Sequence, residues 1–345
     1  MIIDSNMYWL PESLFENPEE LEEFLSEIPA SYGTRGFLKA DEGDGPKVIT
    51  IEKPAGCQNL DYVQGEYRIP VQLADMDAGH VDKAVLKMPG CSEWMSIQTC
   101  RRFNDGMAKA AKESGGRLVP LGVVPPYASK ACFDEIDRCR SMGFGGFQLS
   151  AHYGECYLDD DIFRGFFEKL NEEETTIYIH HTPLPVQYDS LLDYNNLRRS
   201  YGRCADQTTA ICRELFSGFF DRYPNLKMVH SMLGGGFFAL ANMLFPARSA
   251  NETVKRFDAG NDKVKEQFRD HIYFEMSHAQ PWGKDQLECA VKVLGADHIV
   301  FGTSYPVRKE WLTEGAAFVE ALDISDEEKE MILSGNAMKL YHIGE

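Results

Sequence analysis

No stretch of this 345-residue chain approaches the roughly 18 consecutive apolar residues that a membrane-spanning helix needs. Positive charge is also short: 35 Lys and Arg face 54 Asp and Glu, a formal charge of −19, which argues against nucleic-acid or anionic-membrane partners. The acidity is read as solubility, carried on helix surfaces such as Asn17–Glu23 and Asp326–Glu330. The nine cysteines are odd in number and form no Cys-x-x-Cys pair, so reduced thiols in a cytoplasm are expected rather than a disulfide framework. No basic stretch precedes the short first apolar run, so a secretory signal is not expected. Neither G-x-G-x-x-G nor G-x-x-x-x-G-K-[ST] occurs, which removes the nucleotide fingerprints.

What is present is apolar bulk, 43% hydrophobic and 12% aromatic, arranged periodically. Strands are expected at Ile2–Asn6, Lys83–Lys87, Leu118–Val124, Gly145–Leu149, Thr176–His180, Lys227–His230, Ile272–Met276 and Ile299–Thr303. Helical patterns lie between them. One runs over 129–142 with Cys132, Ile136 and Cys139 on a face, another over 160–173 with a stripe of Phe163, Phe166, Phe167 and Leu170. Eight strands alternating with helices imply a parallel α/β fold, a (β/α)8 barrel, in one domain spanning 1–345. Residues 9–70 are too long for a plain connection. With a turn-rich stretch at 41–47 and one strand-like run at 48–53, they read as an insertion after strand one, over the barrel mouth.

Barrel enzymes work at the C-terminal ends of their strands. His271 and His298 precede strands and belong to the opposite face, and His80 and His342 lie outside strand ends. His152, His180, His181, His230 and His278 fall at or just after strand C-termini, where a single histidine means little but five converge on a site. Glu275 in IYFEMSH and Ser304 in FGTSYP share that rim. A carboxylate among imidazoles can serve acid–base chemistry, or can simply orient a histidine. Gly234–Gly236 reads as a tight turn, and the residues after His181, through Pro185, as a rigid wall.

Several stretches carry a family resemblance: LADMDAGHVDKAVL (73–86), CRRFNDGMAK (100–109), GRLVPLGVVP (116–125), GFGGFQLSAHYGECYLDD (143–160), IVFGTSYP (299–306) and ILSGNAMKLYHI (332–343). In this order and spacing the chain resembles the amidohydrolase-2 group. That group is typified by aminocarboxymuconate-semialdehyde decarboxylase and the non-oxidative benzoate decarboxylases. The resemblance implies a zinc or manganese ion held by two strand-one histidines, a strand-five and often a strand-six histidine, and a strand-eight aspartate. Those positions here carry Asn6, Tyr8, His180, Met232 and Ser304, so only His180 keeps a ligand type. Asn, Tyr, Met and Ser are poor replacements at a zinc site. No cofactor and no metal are therefore expected, with a relocated site on His180, His230 and Glu275 as the remaining alternative.

The expected function is a metal-independent lyase, a non-oxidative decarboxylase of a small aromatic or unsaturated carboxylic acid. His180, His230 and Glu275 are its expected acid–base groups. Asn6, Tyr8 and Ser304 would bind substrate in the vacated metal space, with His152, His181 and His278 on the rim. Lys87, at a strand end, is the favoured carboxylate anchor, with Arg35 and Arg101 as alternatives. A metal-independent hydrolase of a lactone or cyclic diketone, and a non-catalytic binding protein, are the other readings. The partners expected are a small carboxylic acid or cyclic carbonyl compound and a second copy in a homodimer.

Overall fold

The computed structural model describes residues 1–28, 34–39, 45–52, 55–56, 58–182, 185–191, 197–245 and 261–344. The strands are β1 (Ile3–Tyr8), β2 (Arg35–Lys39), β3 (Val48–Glu52), β4 (Gln58–Val63), β5 (Lys83–Lys87), β6 (Leu118–Val123), β7 (Gly146–Ser150), β8 (His152–Tyr153), β9 (Cys156–Tyr157), β10 (Thr175–His180), β11 (Leu226–His230), β12 (Ile272–Glu275) and β13 (Ile299–Val300). Eight of them form one sheet in the order β1-β5-β6-β7-β10-β11-β12-β13, every pair parallel. The sheet closes on itself: Ser5 N donates to Phe301 O and Tyr8 N to Tyr305 O, each at 2.8 Å. The eight-stranded barrel expected from the alternation is present.

β13 is shorter than its apolar run because the chain leaves the ladder to bind β1 through side chains. Thr303 donates from its backbone N (3.0 Å) and from Oγ1 (2.5 Å) to the Asp4 carboxylate. Asn6 N donates to the same group at 2.9 Å, and the β1–β5 register shifts between Asp4 and Met7. Burial pushes the Asp4 carboxyl up to about 7, against the pull of these donors.

Side chains alternate across a strand, so each has an inner and an outer face. Ile3, Val85, Leu121, Tyr178, Val229 and Val300 meet inside the barrel, where Leu340, Tyr341 and Ile343 close the N-terminal end. The residues between them face outward to the helices. Phe163, Phe166, Phe167 and Leu170 are all buried in that outer layer, each contributing about 1.5–3 kcal/mol of hydrophobic stabilisation. The helix Ile97–Glu113 is capped by Ser96, whose Oγ accepts from Thr99 N at 3.2 Å, and it buries Cys100, Phe103, Asn104 and Met107.

Between β1 and β5, the strands β2, β3 and β4 form an antiparallel sheet, of which only β3 was legible as a strand. Phe24 and Trp9 pack on Phe103, and the Tyr62 hydroxyl donates to Pro89 O (2.8 Å) just beyond β5. The insertion is thereby tied to the C-terminal side of the barrel. Residues 41–44 of the turn-rich stretch and Lys53 of the strand-like run lie outside the described residues, as do Pro183 and Leu184. No described helix is long and apolar enough to cross a membrane.

Candidate active site

A cavity of about 650 Å³ opens at the strand C-termini, with Tyr8, His181, Met232, His278 and Ser304 on its walls. It is built by strained exits. Met232 (φ 54°), Leu233 (φ 49°), Ser277 (φ 42°), His278 (φ 70°) and Ser304 (φ 57°) are non-glycine residues with left-handed backbone. All of them follow β11, β12 or β13, and such strain persists where surrounding structure imposes it, often at functional sites. The three glycines after Leu233 continue the left-handed turn. A side chain on Gly235 would meet Cys204 O at 1.8 Å, so that turn admits only glycine.

Beneath the cavity lies a buried polar layer. The Tyr8 hydroxyl is 3.2 Å from His180 Nε2, while His180 Nδ1 donates to His181 O at 2.7 Å. With Nδ1 donating to a carbonyl, Nε2 is the nitrogen that accepts a hydrogen bond from the Tyr8 hydroxyl. Beside this pair, Asn6 Nδ2 donates to Ser304 Oγ (2.9 Å) and to Glu275 Oε2 (3.0 Å). The same carboxylate oxygen accepts from Tyr178 (2.7 Å) and from Ser277 Oγ (2.6 Å). Burial raises the Glu275 carboxyl against these donors, and Gly302 makes room for it, since a Cβ there would lie 1.8 Å from Oε1.

The upper walls are aromatic and cationic. His278 stacks on Trp311 with centroids 3.9 Å apart and planes 10° from parallel. Arg203 and Arg308 line the same cavity. Burial, then the positive charge of Arg203 and Arg308, lowers the His278 imidazole to about 3. Burial also holds His181 well below its ordinary value, so both imidazoles are neutral near pH 7. Two guanidinium groups and no carboxylate are among the described residues lining the cavity of this acidic protein.

The residues expected from sequence divide into three groups. Tyr8, His181, His278 and Ser304 line the cavity, and Asn6, His180 and Glu275 hydrogen-bond to one another or to those walls just below it. His152 stands apart, 2.7 Å from Thr182 Oγ1 and 3.5 Å from Asp206, with Nδ1 on Gly154 O. His230 faces outward, its ring nitrogens on Gln207 (3.0 Å) and Glu214 (2.9 Å) of the helix Arg203–Phe216. Lys87 is fully buried between tyrosine rings rather than on the cavity wall. Arg35 pairs with Glu52 on β3, and Arg101 with buried Glu135. Sequence reasoning missed Arg203, Arg308 and Trp311. Arg308 stands two residues beyond the FGTSYP exit, so counting cations in the connections after strands would have found it.

The 2-amino-3-carboxymuconate-6-semialdehyde decarboxylase of Dictyostelium discoideum is 25% identical over 246 residues, 71% of this chain and 66% of that one. A γ-resorcylate decarboxylase of Polaromonas is 25% identical over 259 residues, 71% of this chain and 77% of that one. The 5-carboxyvanillate decarboxylase of Sphingomonas paucimobilis superposes with a TM-score of 0.74 at 21% identity, over 99% of both chains, a likeness of fold.

The expectation of a barrel without a cofactor is corrected by this company. Two similar structures hold manganese: the 5-carboxyvanillate decarboxylase of Novosphingobium aromaticivorans (TM-score 0.75, 18% identity, 99% of this chain and 97% of that one) and a dihydroxybenzoic acid decarboxylase of Polaromonas (TM-score 0.67, 18% identity, 100% and 97%). The donor set in this chain does not match such an ion. Among the described residues no three His, Cys, Asp or Glu side chains are placed to share a metal. The Asn6 amide is turned toward Glu275 and Ser304, and the relocated set is split by the outward turn of His230. The family model described as amidohydrolase matches residues 66–343, most of the chain, and the protein belongs to the amidohydrolase family.

Proposed function

We propose that the protein is a carbon–carbon lyase that decarboxylates a small aromatic or unsaturated carboxylic acid. The observation that carries this reading is one cavity with two guanidinium groups at its wall and a tyrosine–histidine contact at its floor. Arg203 and Arg308 would hold an anionic group of the substrate, with Trp311 and His278 flanking its planar part. The bond to the carboxyl carbon breaks, CO2 leaves, and the electron pair stays on the former partner carbon. That carbon takes a proton from the Tyr8 hydroxyl, and the phenolate left behind is reprotonated by a proton taken up from water at His180 Nε2, so one solvent proton is consumed per turnover. Glu275 orients Asn6 and, through it, Ser304. The decarboxylase names of the relatives support the same reaction class.

The test is release of labelled CO2 from carboxyl-13C hydroxybenzoates and dienoic acids, with and without added manganese. Release that disappears in His180→Gln supports the reading. Acid production from lactones or cyclic diketones with no CO2 from any carboxylic acid replaces it with a hydrolase.

A further inference from the structure

Lys87 ends β5 opposite Tyr8 in the parallel register, and its side chain runs into the barrel. No group among the described residues accepts a hydrogen bond from its Nζ. That nitrogen lies instead 4.1 Å from the centroid of the Tyr8 ring and 4.3 Å from that of Tyr178. Both rings carry hydroxyls on working groups: Tyr8 on His180 Nε2, and Tyr178 on Glu275 Oε2. A buried amine with no acceptor is costly to keep, and an apolar side chain of the same length would fill the space without that cost. Aromatic faces are the groups in direct contact with it, and cation–π contacts strengthen when water is excluded.

We propose that Lys87 is a positioning residue for the Tyr8 hydroxyl: its amine, clamped between the rings of Tyr8 and Tyr178, orients and polarises the phenol that meets His180. In its protonated form the amine sets positive charge on the face of the phenol, which draws electron density from the oxygen and makes the O–H a better donor. The clamp also fixes the Tyr8 ring plane, which sets where the hydroxyl points. Burial holds the amine well below the ordinary lysine value, and the charges of two fully buried carboxyls, Glu275 and Asp4, act against that lowering. Lys87 is not itself among the residues lining the cavity, so it acts through Tyr8 and not on substrate directly.

The kinetic arm of the test rests on the decarboxylase reading, and the spectroscopic arm does not. Lys87→Met keeps the length and removes the charge. It is expected to lower kcat roughly 10- to 100-fold with KM within about threefold, and to leave the melting temperature unchanged or raised. In a Tyr8→Phe background the same change is expected to cost less than about twofold more, because the hydroxyl it serves is gone. Full additivity, or an unchanged kcat, overturns the proposal. With 13Cζ-labelled tyrosine, Lys87→Met should move the Tyr8 and Tyr178 resonances whether or not a substrate is known, and unmoved resonances overturn it. If Lys87→Met does not fold, the wild-type chain labelled at lysine Cε decides. One Hε signal shifted upfield by two ring currents is expected, and its absence contradicts the clamp.

Discussion

His180 and His230 end adjacent parallel strands, both are buried, and they face opposite sides of the barrel wall. The register makes the difference. Ile179 pairs with His230, and Ile179 faces the outer layer. Tyr178 pairs with Val229, and both face inward. His180, two residues past Tyr178, therefore faces inward as well, toward Tyr8. His230, one residue past Val229, turns to the helix Arg203–Phe216. A histidine at a strand end becomes a site residue only when its parity matches the inner face.

The largest expected contrast breaks this comparison directly. His180→Gln should lower kcat at least about 100-fold, as loss of a proton-transfer group does, with a small change in melting temperature. His230→Ala should do the reverse. It leaves the Glu214 carboxyl buried without its hydrogen-bond partner, at a cost of about 1–3 kcal/mol in denaturant unfolding, while kcat per folded molecule stays within a few fold.

The next contrast sets the cations that line the cavity against one that lies outside it. Arg203→Met should raise KM roughly 100-fold and the more exposed Arg308→Met roughly tenfold, each with kcat within a few fold. Arg101→Met should leave both constants alone, since that guanidinium serves Glu135. Its effect should appear as about 1 kcal/mol of stability.

The smallest effect sharpens the picture of the neutral upper wall. The His278 imidazole sits at about 3 in the folded chain, below the ordinary value of 6.5. On acidification the unfolded chain therefore takes up this proton first. The stability concerned is present above about pH 6.5 and is lost as pH falls toward 3. His278→Phe keeps the stack on Trp311 and removes the proton. Its melting temperature should drop less than that of the wild type between about pH 7 and about pH 5.

The barrel was legible because its signals are local. Every expected strand is present, with ends within a few residues, and β13 stops early only because Thr303 turns to Asp4. In the insertion, β3 carries β-branched residues in VITIE, whereas RGFLK and QNLDYV form strands through pairing with it and show little pattern alone. The meeting of candidate residues was legible where they end strands, at Asn6, Tyr8, His180 and Glu275, and just beyond β13 at Ser304. The facing of His230 was available from alternation on β11, given Val229 inside. The engagement of Arg101 by Glu135 and the approach of Arg203 to the mouth depend on packing between distant segments, which periodicity does not encode. The ionic partner of the family barrel was read from residue types alone, and the manganese in related structures corrects the expectation built on it.

The most direct measurement is labelled CO2 release by His180→Gln and His230→Gln side by side, each normalised to folded protein. The account predicts that the inward substitution abolishes release at nearly wild-type stability. The outward one should retain release while lowering the unfolding midpoint. Loss of release in His230→Gln at unchanged stability, with His180→Gln still active, would contradict it.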